Sequence, residues 1–332
     1  MKKTVLFLVE TLAFTLIAKA LAAWLFALPV TSMSGQVAVW FVFGLAILGE
    51  AWIFNRLLRG WGLRELGFRL QRSFAGDIWL GVCGFAVSNV LSLPMDLAAS
   101  HDRANMAHGL VSEFHFSSTW QVLLGGAAMA VALGFFTGAF HEEIRFRGYY
   151  QGAGTAELAP LAGLLTGLIP FSLGHYYAQP DWSAAQVAAT VIPGLVYGLL
   201  FYATRSLTAT MTAHTLTNLL PFLPFLLHEV TGRSSVMTGS IYGLVLVSVA
   251  VIALRWTHEF AEWRAPIRQL FTDRPLYGLV AGVIIGGALL LLWPREFQPV
   301  ISGLAGLVLF AATLAAKKWH TARVQHAPNS AT

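Results

Sequence analysis

Glu142, Glu143 and Arg147 stand close together in "HEEIRFRGYY" (141–150), directly after the uncharged run "VLLGGAAMAVALGFFTGAF". Two further polar groups occupy equally apolar surroundings: His175 in "PFSLGHYY", and His214 with Asn218 in "TAHTLTN". Ionisable side chains are costly inside a membrane, so each points to function by default. Their types suit hydrolysis of an amide. That reaction needs a base to activate water, donors to stabilise the tetrahedral oxyanion, and a proton for the leaving amine. No Ser or Cys nucleophile is required. Two histidines and a carboxylate could instead hold Zn²⁺ with one position open to water, and the residue types leave both routes open.

The spacing says how these groups are presented. Glu143 and Arg147 are four apart with the carboxylate first, the favourable order for an ion pair on one helix face. His214 and Asn218 are also four apart and project side by side. Glu142 points about 100° away from Glu143 around a regular helix. Glu142 and His175 reach one level if their helices form an antiparallel hairpin turning at Leu158-Ala159-Pro160, with Pro160 opening the second helix. His214 lies roughly 13 Å along its helix from the turn marked by Arg205, and the 142–175 level lies about 24 Å from its own turn. The levels agree only if the hairpin projects about 10 Å into the cytosol. Taken singly, the features have plainer explanations: a Glu–Arg pair can be a structural staple, and a lone histidine an interhelical hydrogen bond.

The elements that must carry these residues are membrane helices. Of 332 residues, 56% are hydrophobic and 11% charged, well below the roughly 25% charged of a soluble domain. The expected fold is an all-α polytopic transmembrane bundle of about ten spans: 4–29, 37–57, 75–98, 120–155, 160–178, 184–203, 207–228, 236–254, 276–293 and 299–316. The first is read as an uncleaved span, with Glu10 and Lys19 turned toward other helices. Residues 59–72, "RGWGLRELGFRLQR", read as a short amphipathic helix on the inner membrane face, with Leu63, Leu66 and Leu70 on one stripe. An ordinary basic loop is the other reading. Residues 317–332 read as a polar, disordered tail. With ten spans, fifteen Lys and Arg fall on one side and three on the other, which puts both termini in the cytoplasm. The net charge of +5 reflects those loops and not nucleic-acid binding. The single Cys83 cannot form an internal disulfide and reads as a small core residue. Four regions follow: N-terminal helices (1–118), a core holding the polar clusters (119–228), further helices (229–316) and the tail.

The three clusters resemble a known pattern. "EEIRFRG", "FSLGH" and "HTLTN" are similar to the EExxxR, FxxxH and HxxxN/D motifs of the CAAX protease and bacteriocin-processing (CPBP, or Abi) family of intramembrane proteases, in order and rough spacing, over about residues 120–225. The resemblance implies that Glu142 activates water, that Glu143 is its companion held by Arg147, that His175 and His214 are the motif histidines, and that Asn218 is the terminal polar residue. His141 and Arg145 lie outside the minimal pattern and receive no catalytic role. His101, His108, His115, His228 and His258 read as surface groups. Such a site implies an intramembrane endopeptidase, glutamate-dependent or metal-dependent. In the metal case His175 and His214 would be the Zn²⁺ ligands. The substrate would be a CAAX-type or bacteriocin-like peptide, met from the cytoplasmic side of what composition suggests is a bacterial plasma membrane. Two rival readings are a non-enzymatic immunity or scaffold protein that keeps the polar cluster for folding, and an ion-coupled transporter. The lack of an evident inverted repeat disfavours the transporter.

Overall fold

The computed structural model describes residues 2–30, 32–68, 73–98, 108, 111–112, 118–178, 184–220, 222–291 and 299–325. The described residues are helical with no strand. In chain order the helices are α1 (Lys2–Phe26), α2 (Met33–Arg59), α3 (Phe74–Ala98), α4 (Thr119–Glu157), α5 (Pro160–Ala178), α6 (Ala184–Thr204), α7 (Leu207–Leu219), α8 (Leu223–Thr231), α9 (Ser234–Thr272), α10 (Pro275–Leu291) and α11 (Pro299–Gln325). Six of them contain stretches long and apolar enough to cross a membrane: Lys3–Phe26, Ser34–Arg59, Phe74–Leu93, Thr119–Glu157, Ser234–Thr272 and Pro299–Trp319. Thr190–Thr204 and Pro275–Leu291 are shorter apolar helices. The outward faces are apolar too, as at Leu246 and Leu254 of α9. The chain is therefore an integral membrane protein built as an all-α polytopic bundle.

Local chemistry sets several helix ends. Ser32 caps α2 by accepting from the Gly35 N–H, and Gly60, at φ 72°, closes that helix in the left-handed conformation. Ser206 caps α7 by accepting from the Ala209 N–H, and its own hydroxyl donates to buried Asp77 of α3. The hairpin turn falls where Leu158-Ala159-Pro160 places it, between Glu157 and Pro160.

Three expectations change. Residues 63–67 form a turn and not an amphipathic helix, while 69–72 lie outside the described residues. Leu66 is fully buried, and the Gly67 carbonyl accepts from the Leu207 N–H, so the segment enters the bundle instead of lying on its surface. The span expected at 207–228 divides into α7 and α8, with Pro224 in the first turn of α8. The polar tail begins as helix: α11 continues to Gln325, because Lys317 finds two carboxylates, Glu157 at 2.9 Å and Glu10 at 3.4 Å. Residues 326–332 lie outside the described residues.

Packing couples the site region to the rest. α1 lies on α11, α10 on α5, α7 on α3, and α5 on α6. An aromatic core joins α1, α2 and α4, with Phe14 stacked on Tyr149 at 4.1 Å and set edge-on to Phe54. Glu10 is fully buried, as expected of a carboxylate turned toward other helices. It accepts from Tyr149 at 2.7 Å and pairs with Arg59 at 2.7 Å, and Arg59 also reaches Glu157 at 3.1 Å.

Candidate active site

The charged patch sits inside α4, as the hairpin requires, but the helix is not regular there. α-Helical bonding gives way to wider π-helical turns at Leu133–Ala139 and again at Glu143–Gln151, on either side of the short α segment Phe140–Glu142. Such turns concentrate at functional positions because the extra residue re-aims the side chains around it. All nine residues of the second π stretch are buried. Two of its side chains anchor it to α6: Arg147 donates to the Gly194 carbonyl at 3.0 Å, and Gln151 to the Gly198 carbonyl at 2.6 Å. Both acceptors are glycines in tight contact with α5. A Cβ on Gly194 would lie 2.8 Å from Phe171, and one on Gly198 2.5 Å from Leu164.

Glu143 is the buried hub. Its Oε1 accepts from His214 Nδ1 at 2.8 Å and pairs with Arg147 Nη1 at 3.2 Å. The Arg147 guanidinium lies over the Phe171 ring at 4.0 Å and near the Tyr197 ring at 5.4 Å. Tyr197 stacks on the His214 imidazole, with centroids 5.0 Å apart and planes at 27°, while Phe171 meets the same imidazole edge-on. His175 points its Nδ1 at the Phe171 carbonyl, 2.6 Å away. A carbonyl only accepts, so that nitrogen carries the proton and Nε2 is turned outward.

Glu142 faces these outward nitrogens. His214 Nε2 is 3.8 Å from Glu142 Oε2, and His175 Nε2 is 3.9 Å from Oε1. Oε2 is buried with no hydrogen-bond partner among the described residues. Side-chain exposure divides the group in two: 26% at His175 and 17% at Glu142, against 0% at Glu143 and 1% at Arg147. The first two line an approach from outside, and the last two support it from behind. A Cβ on Gly148 would sit 3.3 Å from Leu207, the first residue of α7. α4 continues from that level to Glu157, roughly 13 Å further.

Asn218 sits one turn beyond His214, with its amide donating to the Gly134 carbonyl at 3.3 Å. A Cβ on Gly138 would lie 3.1 Å from the Asn218 amide nitrogen and 3.8 Å from His214 Nε2. The first π stretch thus presents a bare glycine between two potential donors. Of the residues expected at the site, Glu142, Glu143, Arg147, His175 and His214 meet in one cluster. Asn218 borders it through Gly138.

Zn²⁺ fits this arrangement poorly. Ligands at about 2.1 Å from a tetrahedral zinc lie about 3.4 Å from one another, and the imidazole–carboxylate separations here are wider. Among the described residues no three His, Cys, Asp or Glu side chains are grouped to hold a metal ion.

Tyr197, Gly194 and His141 belong to the site but not to its motifs. Nothing in the local pattern of "VIPGLVYG" (191–198) announces that Tyr197 and Gly194 serve α4. His141 adjoins Glu142 in sequence, so its neighbourhood was legible although its direction was not. Of the histidines expected at the surface, His108 is exposed and pairs with Glu229, and His258 is exposed beside Glu259; His228 is instead half-buried, with its Nδ1 shielded from solvent, and His101 and His115 lie outside the described residues.

Residues 123–220, from the first turns of α4 to the end of α7, match the family model described as type II CAAX prenyl endopeptidase Rce1-like. This is the intramembrane protease family that the three motifs resemble. No curated protein and no solved structure matches the chain.

Proposed function

We propose, from the match of its core to the Rce1-like type II CAAX prenyl endopeptidases, that this membrane protein is an endopeptidase in which Glu142 activates the water that cleaves the peptide bond. The observation that carries the reading is a partly exposed carboxylate with imidazole nitrogens 3.8 and 3.9 Å from its two oxygens. Atoms at that separation can share one water bonded to both.

The residues divide the work as follows. Glu142 takes a proton from the water, and the resulting hydroxide adds to the scissile carbonyl carbon. His175, its Nδ1–H committed to the Phe171 carbonyl, offers Nε2 as acceptor for the other water proton. Glu143 holds His214 through Nδ1, as the aspartate of a hydrolytic triad orients its histidine. When protonated, His214 Nε2 donates to the oxyanion together with the Asn218 amide, across Gly138. Glu142 then passes its proton to the departing amine nitrogen, the C–N bond breaks, and a carboxylate and an amine leave. Arg147 pairs with Glu143 and, through the Gly194 carbonyl, ties it to α6.

The substrate class follows the family: a peptide with a CAAX-type C-terminal tail, entering from the cytoplasmic side, where the charge bias of the loops puts both termini. The test uses the purified full chain in detergent with a fluorogenic peptide ending in a farnesylated CAAX sequence, and with the same peptide unprenylated. Glu142→Gln and His214→Ala should each abolish cleavage while the protein stays folded. Cleavage by Glu142→Gln at the unaltered rate would end the proposal. Metal analysis before and after exhaustive chelation completes the test: activity that survives in metal-free protein is the expected result, and activity restored only by added Zn²⁺ would overturn the metal-free route.

A further inference from the structure

One imidazole at the centre has no assigned role. His141 precedes Glu142 and lies outside the motif, yet its Nε2 is 4.0 Å from Glu142 Oε1. This nearly equals the 3.9 Å of His175 from the same oxygen. Glu142 is therefore flanked by three imidazoles, two on Oε1 and one on Oε2. Adjacent residues of a regular α-helix diverge by about 100°. These two side chains converge within a three-residue α segment between two π stretches.

The seat of His141 comes from α2, outside the matched segment. The side chain is 8% exposed. Its ring lies 5.0 Å from the Trp40 ring, tilted by 35°, and 5.2 Å from the Phe43 ring. α2 can come this close because of Gly44, where a Cβ would stand 2.5 Å from Phe140 and 3.6 Å from the His141 Cβ. Packing alone would be served better by phenylalanine, since burying ring nitrogens carries a desolvation cost that an apolar ring avoids. A nitrogen held by an aromatic seat within one water's reach of the reactive carboxylate has a chemical use.

We propose that His141 is a positioning residue for Glu142. Through a hydrogen bond relayed by one water to Oε1, it fixes the carboxylate rotamer so that Oε2 stays turned toward His214 and the substrate. Trp40 and Phe43 orient the imidazole, so α2 takes part in the reaction centre. The inference rests on the reading of Glu142 as the base, and the experiment separates the two.

The experiment compares His141→Phe, which keeps the aromatic packing but removes Nε2, with His141→Gln, which restores a polar group at similar reach. Both are made in the full chain and assayed on the farnesylated CAAX peptide. For His141→Phe, kcat should fall about tenfold to hundredfold, the scale of a misplaced catalytic group. KM and thermal midpoint should stay unchanged, and His141→Gln should recover most of the loss. Wild-type turnover in His141→Phe would overturn the proposal. So would a loss shared by both variants together with a lowered midpoint, which would mark a purely structural seat. A readout independent of substrate is the infrared carboxylate band of Glu142, identified as the band lost in Glu142→Gln. It should shift in His141→Phe, and an unmoved band rejects the contact. If Glu142→Gln still cleaves, the base assignment fails, and the infrared comparison still decides whether His141 acts on Glu142.

Discussion

In the proposed mechanism the two adjacent glutamates do different jobs, and the difference lies in what each one touches. Glu143 has no exposure and two partners, His214 and Arg147. Glu142 is partly exposed, and its buried Oε2 has no hydrogen-bond partner among the described residues. Replacing Glu142 by Gln removes a charge that no short contact stabilises. Cleavage should fall by about 100-fold or more, with a thermal midpoint equal to or above that of the parent. Glu143→Gln leaves the Arg147 cation buried without its carboxylate, a defect that typically costs about 3–5 kcal/mol. Its midpoint should drop clearly and activity should fall with it. Thermal unfolding in detergent, run beside the cleavage assay, separates the two cases; a destabilised Glu142→Gln would contradict this division of roles. The identities of both glutamates were readable from their place in an apolar run. Which of them is the partly exposed one was not legible, because helical spacing alone separates them by angle and not by environment.

At the level of the helices, the site depends on α4 departing from regular geometry where α5, α6 and α7 press against it. Gly138 belongs to the first π stretch and stands beside both donors of the proposed oxyanion site. Gly138→Ala should favour helix by about 1 kcal/mol in intrinsic propensity, yet the added methyl would meet the Asn218 amide at 3.1 Å. The expected outcome is intact helicity by circular dichroism with kcat lowered about tenfold or more. Unaltered kcat would place the oxyanion elsewhere. The hairpin turn, the Pro160 start and the four-residue pairs follow from spacing within one segment, so the sequence carries them in full. The π stretches do not, because they answer to partners far along the chain: the Gly194 and Gly198 carbonyls of α6 that hold Arg147 and Gln151. The expected amphipathic helix at 59–72 failed for the same reason. Residues 63–67 form a turn, and Leu66 is used by the bundle interior and not by the membrane surface.

For the whole molecule, the charge network of Glu10, Arg59, Glu157 and Lys317 joins α1, α2, α4 and α11 near the end of α4 that leads into the hairpin turn. Arg59→Met would leave Glu10 buried with a single cation at 3.4 Å. Loss of a buried partner costs about 3–5 kcal/mol, so the thermal midpoint should fall. Glu157 lies roughly 22 Å along α4 from Glu142, so turnover per folded molecule should hold. A selective loss of turnover with unchanged stability would mean that the network acts on the site instead of fastening the bundle. The amino-acid sequence alone established the all-α membrane architecture, the hairpin and the three polar clusters. Each of those rests on apolar length or on spacing within one segment, which are properties of neighbouring residues. The folded arrangement alone decided which imidazoles surround Glu142, that His141 is among them on a seat built by α2, and that Tyr197 stacks on His214. Those contacts join side chains on separate helices, and their distances depend on how closely glycine faces and π turns let the helices approach.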